Sequence, residues 1–536
     1  MSQAYATPTR DHDQENFPTA SRLLAPALRG KVMAFYRFVR AADDIADSPD
    51  LAPGQKLARL DAMEAMLDDP AGPLREVGTG EARKVLDAFR QDATQTRYDT
   101  WAELEAYCTR SADPVGRMLL RLHGEADPEA VRAADALCTA LQVLNHLQDL
   151  VPDRDALDRI YLPVPWMAEA GGEEAFFAPA NAGPRRAVLD AALDRVEAAL
   201  EVAAPLPRVL RSRLRRQAAV TLACARLLLA RLRAADPVAG RVALTRGDFA
   251  RAALAAVLPT PSDAAIVRAR VAAARSSFAR GMAVLKGERR RALFAVYAFC
   301  RAVDDIADGA MPEAEKRRFL AEWRGKLHAP NCALSRELLH ARTAFALPLT
   351  ECEAMVAGME TDSAPRLRLA DEAALDLYCR RVAGSVGAMA VRIFGAPDAE
   401  GFGLALGRTF QLVNILRDLD EDASRERVYL PLSLLAAHGI ADGPAAAILR
   451  DPRLERVCAE IAARAERGFA EAEAELARFD ARALKPARVM MWGYRRLLAR
   501  MQAQGFAAPR PRVRLSAPER LTMAALALSP RMTVPQ

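Results

Sequence analysis

Little in this sequence suits a membrane span, a disulfide framework or a β-sheet. No run approaches the roughly 20 apolar residues that cross a bilayer. The longest alanine- and leucine-rich stretches, near Leu227 and Ala525, are short and have arginine nearby. The opening MSQAYATPTRDHDQ has no apolar core behind a basic start, which predicts no secretory signal and a cytoplasmic protein. The eight cysteines form no C-x-x-C, and Cys108, Cys224, Cys300 and Cys379 sit in apolar, helix-like contexts. They are expected as reduced core residues rather than zinc ligands or disulfides. Aromatics make up only 6% and do not interleave with basic residues, so no nucleic-acid partner is expected. Alternating runs of β-branched residues are nearly absent.

What fills the sequence instead is Ala, Leu, Arg and Glu with apolar residues at three- and four-residue spacing, which predicts an all-α protein. At 536 residues with 51% hydrophobic content the chain exceeds the ~250–300 residues at which one core usually divides, so two domains are expected. Net charge is +6, carried overwhelmingly by arginine. Composition bias and solvated helix faces account for most of it. The remainder points to anions, either diphosphates or an anionic lipid surface.

The chain repeats itself. YRFVRAADDIAD (36–47) matches YAFCRAVDDIAD (297–308), and YCTRSADPVG (107–116) matches YCRRVAGSVG (378–387). LQVLNHLQDLVPD (141–153) matches FQLVNILRDLDED (410–422), and RIYLP (159–163) matches RVYLP (427–431). The offsets are 261, 271, 269 and 268, always in the same order. A repeat that long is a duplicated domain, not a solenoid unit. Pro259 and Pro261 in AAVLPTPSDA interrupt helix formation, giving expected domains 1–258 and 262–536.

Two stripes per copy carry the chemistry. Tyr297, Arg301, Asp304 and Asp308 fall on one helix face, as do Gln411, Asn414, Asp418 and Asp422. The first copy repeats them as Tyr36, Arg40, Asp43 and Asp47, and as Gln142, Asn145, Asp149 and Asp153. Carboxylates one turn apart repel unless a cation lies between them. Mg²⁺ takes oxygen ligands from one or two carboxylates plus substrate phosphates. Two facing stripes therefore suit Mg²⁺ ions clamping a diphosphate, with the flanking arginines as bidentate partners. A single D-x-x-x-D is common on solvated helices. Two per copy, in apolar sequence, in both copies, are not explained that way. GFGLALG (401–407) follows no strand and is expected to be small-residue helix packing rather than a dinucleotide loop. His123, His146, His328, His340 and His438 show no metal spacing.

These motifs resemble the squalene/phytoene synthase family across nearly the whole chain, once per half. The resemblance implies an isoprenoid-synthase-type helical domain in tandem, with Mg²⁺ held by the Asp and Asn positions above. The second half, through SSFARGMAVL (276–285), RRALFAVYAFCRAVDDIAD (290–308) and NILRDLDEDASRERVYLP (414–431), is similar to bacterial presqualene diphosphate synthases. The first, through ENFPTAS (15–21), FRQDATQTRY (89–98) and NHLQD (145–149), resembles bacterial hydroxysqualene synthases. The implied activity joins two farnesyl diphosphates into presqualene diphosphate and converts that to hydroxysqualene.

Implied substrate contacts are Ser276, Ser277, Tyr297, Arg301, Gln411, Arg417, Arg427, Tyr429 and Tyr494 in the second half. In the first half they are Ser21, Tyr36, Arg40, Gln142, Gln148, Arg159 and Tyr161. Gln148 stands where the second copy has Arg417, and no tyrosine near 223–229 matches Tyr494. Tyr107 and Tyr378 precede the segment that bends a helix in this family. Core packing explains them as well as a catalytic role facing the cation does. The rival readings are a phytoene-type synthase acting on geranylgeranyl diphosphate, and one half serving only as a scaffold. Peripheral membrane contact and a downstream redox enzyme are the further partners implied.

Overall fold

The computed structural model describes residues 26–528 apart from 70–71, 73, 76, 126, 212, 260 and 274–284. Ser21, Ser276 and Ser277 lie outside the described residues. The chain divides into two units, one of Met1–Pro261 with Gly309–Glu315, the other of Ser262–Asp308 with Lys316–Gln536. Each is helical and is taken by itself.

In the first unit, α1 (Pro26–Ala46) packs on α2 (Thr79–Asp92), which leads to α3 (Trp101–Ser111), α4 (Asp113–Leu122) and α5 (Pro128–Gln148). α6 (Ala182–Ala203), α7 (Leu214–Ala234) and α8 (Arg246–Ala253) follow, with further helices such as Pro53–Ala65 and Leu150–Leu157 between the named ones. α1 buries Val32, Phe35, Phe38, Ala42 and Ala46, each large side chain contributing about 1.5–3 kcal/mol. That 3.6-residue stripe leaves Tyr36, Arg40, Asp43 and Asp47 on the other face. α5 does the same, burying Ala133, Leu137, Ala140, Leu144 and Leu147 against α4 and α6. Asn145 lies on its other face, but the helix stops at Gln148. Asp149 is its cap and Asp153 falls on the next helix, Leu150–Leu157, so the expected single-helix stripe is broken in this copy.

The second unit repeats the plan with α9 (Gly287–Asp308), α10 (Leu349–Asp362), α11 (Glu372–Cys379), α12 (Ser385–Phe394), α13 (Glu400–Ala423), α14 (Leu454–Leu476), α15 (Lys485–Gln504) and α16 (Ala517–Leu528). α11 and α12 are joined by a π-helical turn, Arg380–Gly384, just after Tyr378. In the first unit the break falls at Ala112, with Pro114 in the first turn of α4. After each tyrosine the regular α-helix is thus interrupted, by a π-turn in one copy and by a break followed by a proline in the other.

The GFGLALG segment is helix packing, as its sequence predicts. A Cβ on Gly387 would lie 2.0 Å from the Gly403 carbonyl oxygen, and one on Gly407 would lie 2.3 Å from that of Ala383. Only glycine lets the backbones of α12 and α13 approach so closely. Two short strands, β1 (Leu367–Arg368) and β2 (Arg427–Val428), pair in parallel. In the first unit a single bridge, Tyr98 to Pro163, stands in their place. These links hold the RVYLP and RIYLP segments beside the ends of α10 and α2.

All eight cysteines are free, six of them buried. Among the described residues no helix is long and apolar enough to cross a membrane.

Candidate active site

In the second unit Arg301 donates to Asp304 at 2.7 Å and to Asp305 at 2.5 Å. Asp308 accepts from Arg427 at 2.6 Å and pairs with Arg425 at 2.5 Å. Arg427, itself buried, also donates to the carbonyls of Ala307 and Asp362, at 2.9 and 2.8 Å. Burial alone would raise the Asp308 carboxyl, but the two guanidiniums hold it below its ordinary value. Asp304 moves the other way, pushed up by burial and by Asp308, with Arg301 opposing. Tyr297 lies one turn before Arg301 on the same helix, half-buried.

On the facing helix α13, Asn414 donates to Gln411 Oε1 at 3.2 Å, while its own Oδ1 is buried without a partner. Arg417 grips the neighbouring Asp418 through two bonds of 2.9 and 2.6 Å. Tyr494 stacks on Phe410 at 4.2 Å and lies beside Arg417 and Asn414. Asp422 is pushed up to about 7, first by burial and then by Asp418.

The first unit reproduces the arrangement. Arg40 donates to Asp43 at 2.6 Å and to Asp44 at 3.2 Å. Arg159 donates to Asp47 at 2.9 Å and to the Asp92 carbonyl at 2.9 Å. Tyr36 and Gln142 are half-buried on the same faces as the stripes. Asp43 is raised by burial and by Asp47, and Asp153 reaches about 7 through burial and Asp149. Asn145 Oδ1, like Asn414 Oδ1, is buried and unpaired.

Two further residue pairs, Asp92 with Asp362 and Arg241 with Arg512, contact these positions and are not marked by the sequence motifs. Asp362 is buried and accepts from Tyr378 at 3.0 Å and Tyr429 at 2.7 Å, the two rings stacked at 4.8 Å. Asp92 accepts from Tyr107 at 2.7 Å and Tyr161 at 3.2 Å. Burial raises both carboxyls to about 6, with an arginine and two tyrosine hydroxyls opposing. So Tyr107 and Tyr378 are neither simple core nor free. Each is one arm of a buried Tyr–Asp–Tyr clasp. The second pair is Arg241 with Asp149 and Arg512 with Asp418, both at 2.9 Å. A register near those of the other blocks links these as well: GRVALTRGD (240–248) aligns with PRVRLSAPE (511–519), and both carry a helix cap, Thr245 with Asp248 and Ser516 with Glu519.

One expectation is overturned. Gln148 does not present its amide to a substrate. It is 1% exposed and donates to the Val242 carbonyl at 2.5 Å. A buried amide must be bonded, and this one pins the segment that carries Arg241. Position 223, in register with Tyr494, is Ala223.

The donor set fits a hard divalent cation. Each unit offers carboxylates whose protons are held by burial and mutual repulsion, plus an unpaired carboxamide oxygen among them. Among the described residues no three His, Cys, Asp or Glu side chains converge closely enough to hold an ion by themselves. Oxygen atoms from a ligand between the stripes would complete such a set.

Comparison with known proteins finds one family twice along the chain. The sequence pattern of the squalene/phytoene synthase family matches residues 10–248 and again 271–519. A presqualene diphosphate synthase of Rhodopseudomonas palustris is 43% identical over 249 residues, covering 45% of this chain and 88% of that protein. A hydroxysqualene synthase of the same organism is 43% identical over 176 residues, covering 31% of this chain and 60% of that protein. Among solved structures, a squalene synthase of Alicyclobacillus acidocaldarius is 30% identical, covering 42% of this chain and 90% of that one, at a TM-score of 0.38.

Proposed function

The chain belongs, in each of its halves, to the squalene/phytoene synthase family, and from that premise we propose a bifunctional enzyme that makes hydroxysqualene. The second unit condenses two farnesyl diphosphates to presqualene diphosphate. The first converts presqualene diphosphate to hydroxysqualene. The observation that supports this reading is that both copies carry the aspartate positions but differ in the residues beside the second stripe. Arg417 and Tyr494 flank the second stripe of one unit, and Gln148 and Ala223 replace them in the other. Two diphosphates need the larger set, one the smaller.

Asp304, Asp308, Asn414, Asp418 and Asp422, with Asp43, Asp47, Asn145, Asp149 and Asp153 in the first unit, would hold Mg²⁺. When bound, Mg²⁺ neutralises the diphosphate leaving group and so favours breaking the allylic C–O bond. The chain's own residues do the rest. Arg301 and Arg40 keep the first stripe from self-repulsion and can turn to a phosphate by the same fork. Arg427 and Arg159 lock the end of that stripe to the Tyr–Asp–Tyr clasp. The clasp aims two phenol rings, whose electron-rich faces suit a passing carbocation. The apolar helix faces keep water away until the chosen step.

The product would pass to a separate redox enzyme for reduction. A cytoplasmic enzyme in peripheral contact with a membrane suits such apolar products. Purified chain with Mg²⁺ and farnesyl diphosphate should yield both presqualene diphosphate and hydroxysqualene. Conversion of geranylgeranyl diphosphate in preference would favour the phytoene-type reading, and presqualene diphosphate as sole product would make the first unit a scaffold.

A further inference from the structure

His146 sits one residue after Asn145, where the second unit has Ile415. Its imidazole is 8% exposed and stacks on Tyr161 with ring centroids 3.5 Å apart and planes 18° apart. It lies tilted against Tyr107 at 5.9 Å. Its Nε2 is buried with no hydrogen-bond partner. The hydroxyls of Tyr107 and Tyr161 are already spent as donors on Asp92. The layer of rings that would face a cation in the first unit therefore contains one unpaired polar atom. In the second unit the residue in register with His146 is Ile415, itself buried.

Buried polar atoms are normally satisfied, and ordered water is the usual partner when protein supplies none. We propose that His146 Nε2 holds the water molecule that ends the first unit's reaction. This rests on the functional reading above. In that step the C–O bond to diphosphate breaks and its electron pair leaves with the diphosphate. After rearrangement of the carbon skeleton, the water oxygen donates a lone pair to form the new C–O bond. One O–H bond of that water breaks, and the proton passes to the released diphosphate. His146 accepts a hydrogen bond from the other O–H, which turns the lone pair toward the cation. The second unit's reaction closes a cyclopropane by losing a proton and uses no water, so an apolar Ile415 at the same place is what its chemistry requires.

The test uses the full chain with Mg²⁺ and farnesyl diphosphate in H₂¹⁸O, scoring diphosphate release and the ratio of ¹⁸O-labelled C30 alcohol to C30 hydrocarbon formed by proton loss. Release of diphosphate from presqualene diphosphate in the same reaction shows that a variant is folded and ionises its substrate. Loss of one positioning hydrogen bond should lower the alcohol-to-hydrocarbon ratio about tenfold in His146→Phe. His146→Gln, which keeps an acceptor, should stay within about threefold of wild type. An unchanged ratio in His146→Phe would overturn the inference and leave His146 a packing residue. So would a His146→Gln ratio as low as that of His146→Phe. A wild-type chain that makes no labelled alcohol overturns the functional reading together with the inference.

Discussion

Tyr378 donates its hydroxyl to Asp362 at 3.0 Å, and the pair recurs 270 or so positions earlier as Tyr107 and Asp92 at 2.7 Å. In both units the same aspartate accepts from a second tyrosine, of the RVYLP or RIYLP segment, whose arginine reaches the first aspartate stripe. The carboxylates of the first stripe and the two tyrosine rings thus belong to one connected hydrogen-bond network in each copy.

Asp362→Asn keeps the volume but turns an NH₂ group toward one of the two phenols. An unsatisfied buried hydroxyl costs about 1–3 kcal/mol. Turnover of farnesyl diphosphate should fall about tenfold or more, with a lower melting temperature. Asp92→Asn should slow only the consumption of presqualene diphosphate. Steady-state rates for each substrate test this, and full activity in Asp362→Asn would detach the clasp from catalysis.

Arg417 and Gln148 occupy equivalent positions with different work. Arg417→Gln removes a charge-assisted fork worth about 1.5–3 kcal/mol, so turnover of farnesyl diphosphate should drop about tenfold or more. Gln148→Arg places a guanidinium where a buried amide meets the Val242 carbonyl. It should lower the melting temperature by several degrees, since about 1 kcal/mol moves a domain of 150–250 residues by about 2–4 °C. A fully stable Gln148→Arg would mean the Val242 bond is dispensable.

How far the sequence alone reaches is plain from these residues. Helical spacing and repetition mark the aspartate stripes, although the first copy's second one is broken at Asp149, and a bend after Tyr107 and Tyr378 is implied only by the family resemblance. Asp92 and Asp362 were not legible. They lie in FRQDATQ and METDSAP, which share little but the aspartate, and their tyrosine partners come from segments far along the chain. Arg241 and Arg512 were hidden for the same reason. Gln148 was misread because substitution by register shows what replaced the arginine, not where the new side chain points. Metal spacing says nothing about His146, whose ring stacks on Tyr161.

The aspartates also set a pH dependence. Asp153 and Asp422 stand at about 7 in the folded chain, above the ordinary 3.8, and Asp43 and Asp304 shift the same way. A carboxyl that binds its proton more tightly when folded contributes stability that is present at low pH and lost as pH rises through the folded value. Metal-free protein should therefore lose stability between about pH 4 and 7. Added Mg²⁺ should raise the melting temperature more at pH 8 than at pH 5.5, where protons compete for the same oxygens. An equal shift at both pH values would argue against carboxylate ligation.

Gly387→Ala would drive a methyl group into the Gly403 carbonyl, 2.0 Å away. Neither backbone can yield without parting α12 from α13, so the variant should lose about 1–3 kcal/mol or more. Denaturant unfolding measures it. Gly401→Ala, where nothing lies within 4 Å, should be neutral or slightly stabilising.

The central claim is that two duplicated sites perform successive steps. The direct measurement is product analysis of Asp304→Ala and Asp43→Ala, each with Mg²⁺ and farnesyl diphosphate. Asp304→Ala should consume no farnesyl diphosphate but still convert added presqualene diphosphate to hydroxysqualene. Asp43→Ala should consume farnesyl diphosphate and accumulate presqualene diphosphate. Identical product profiles from the two variants would contradict the account.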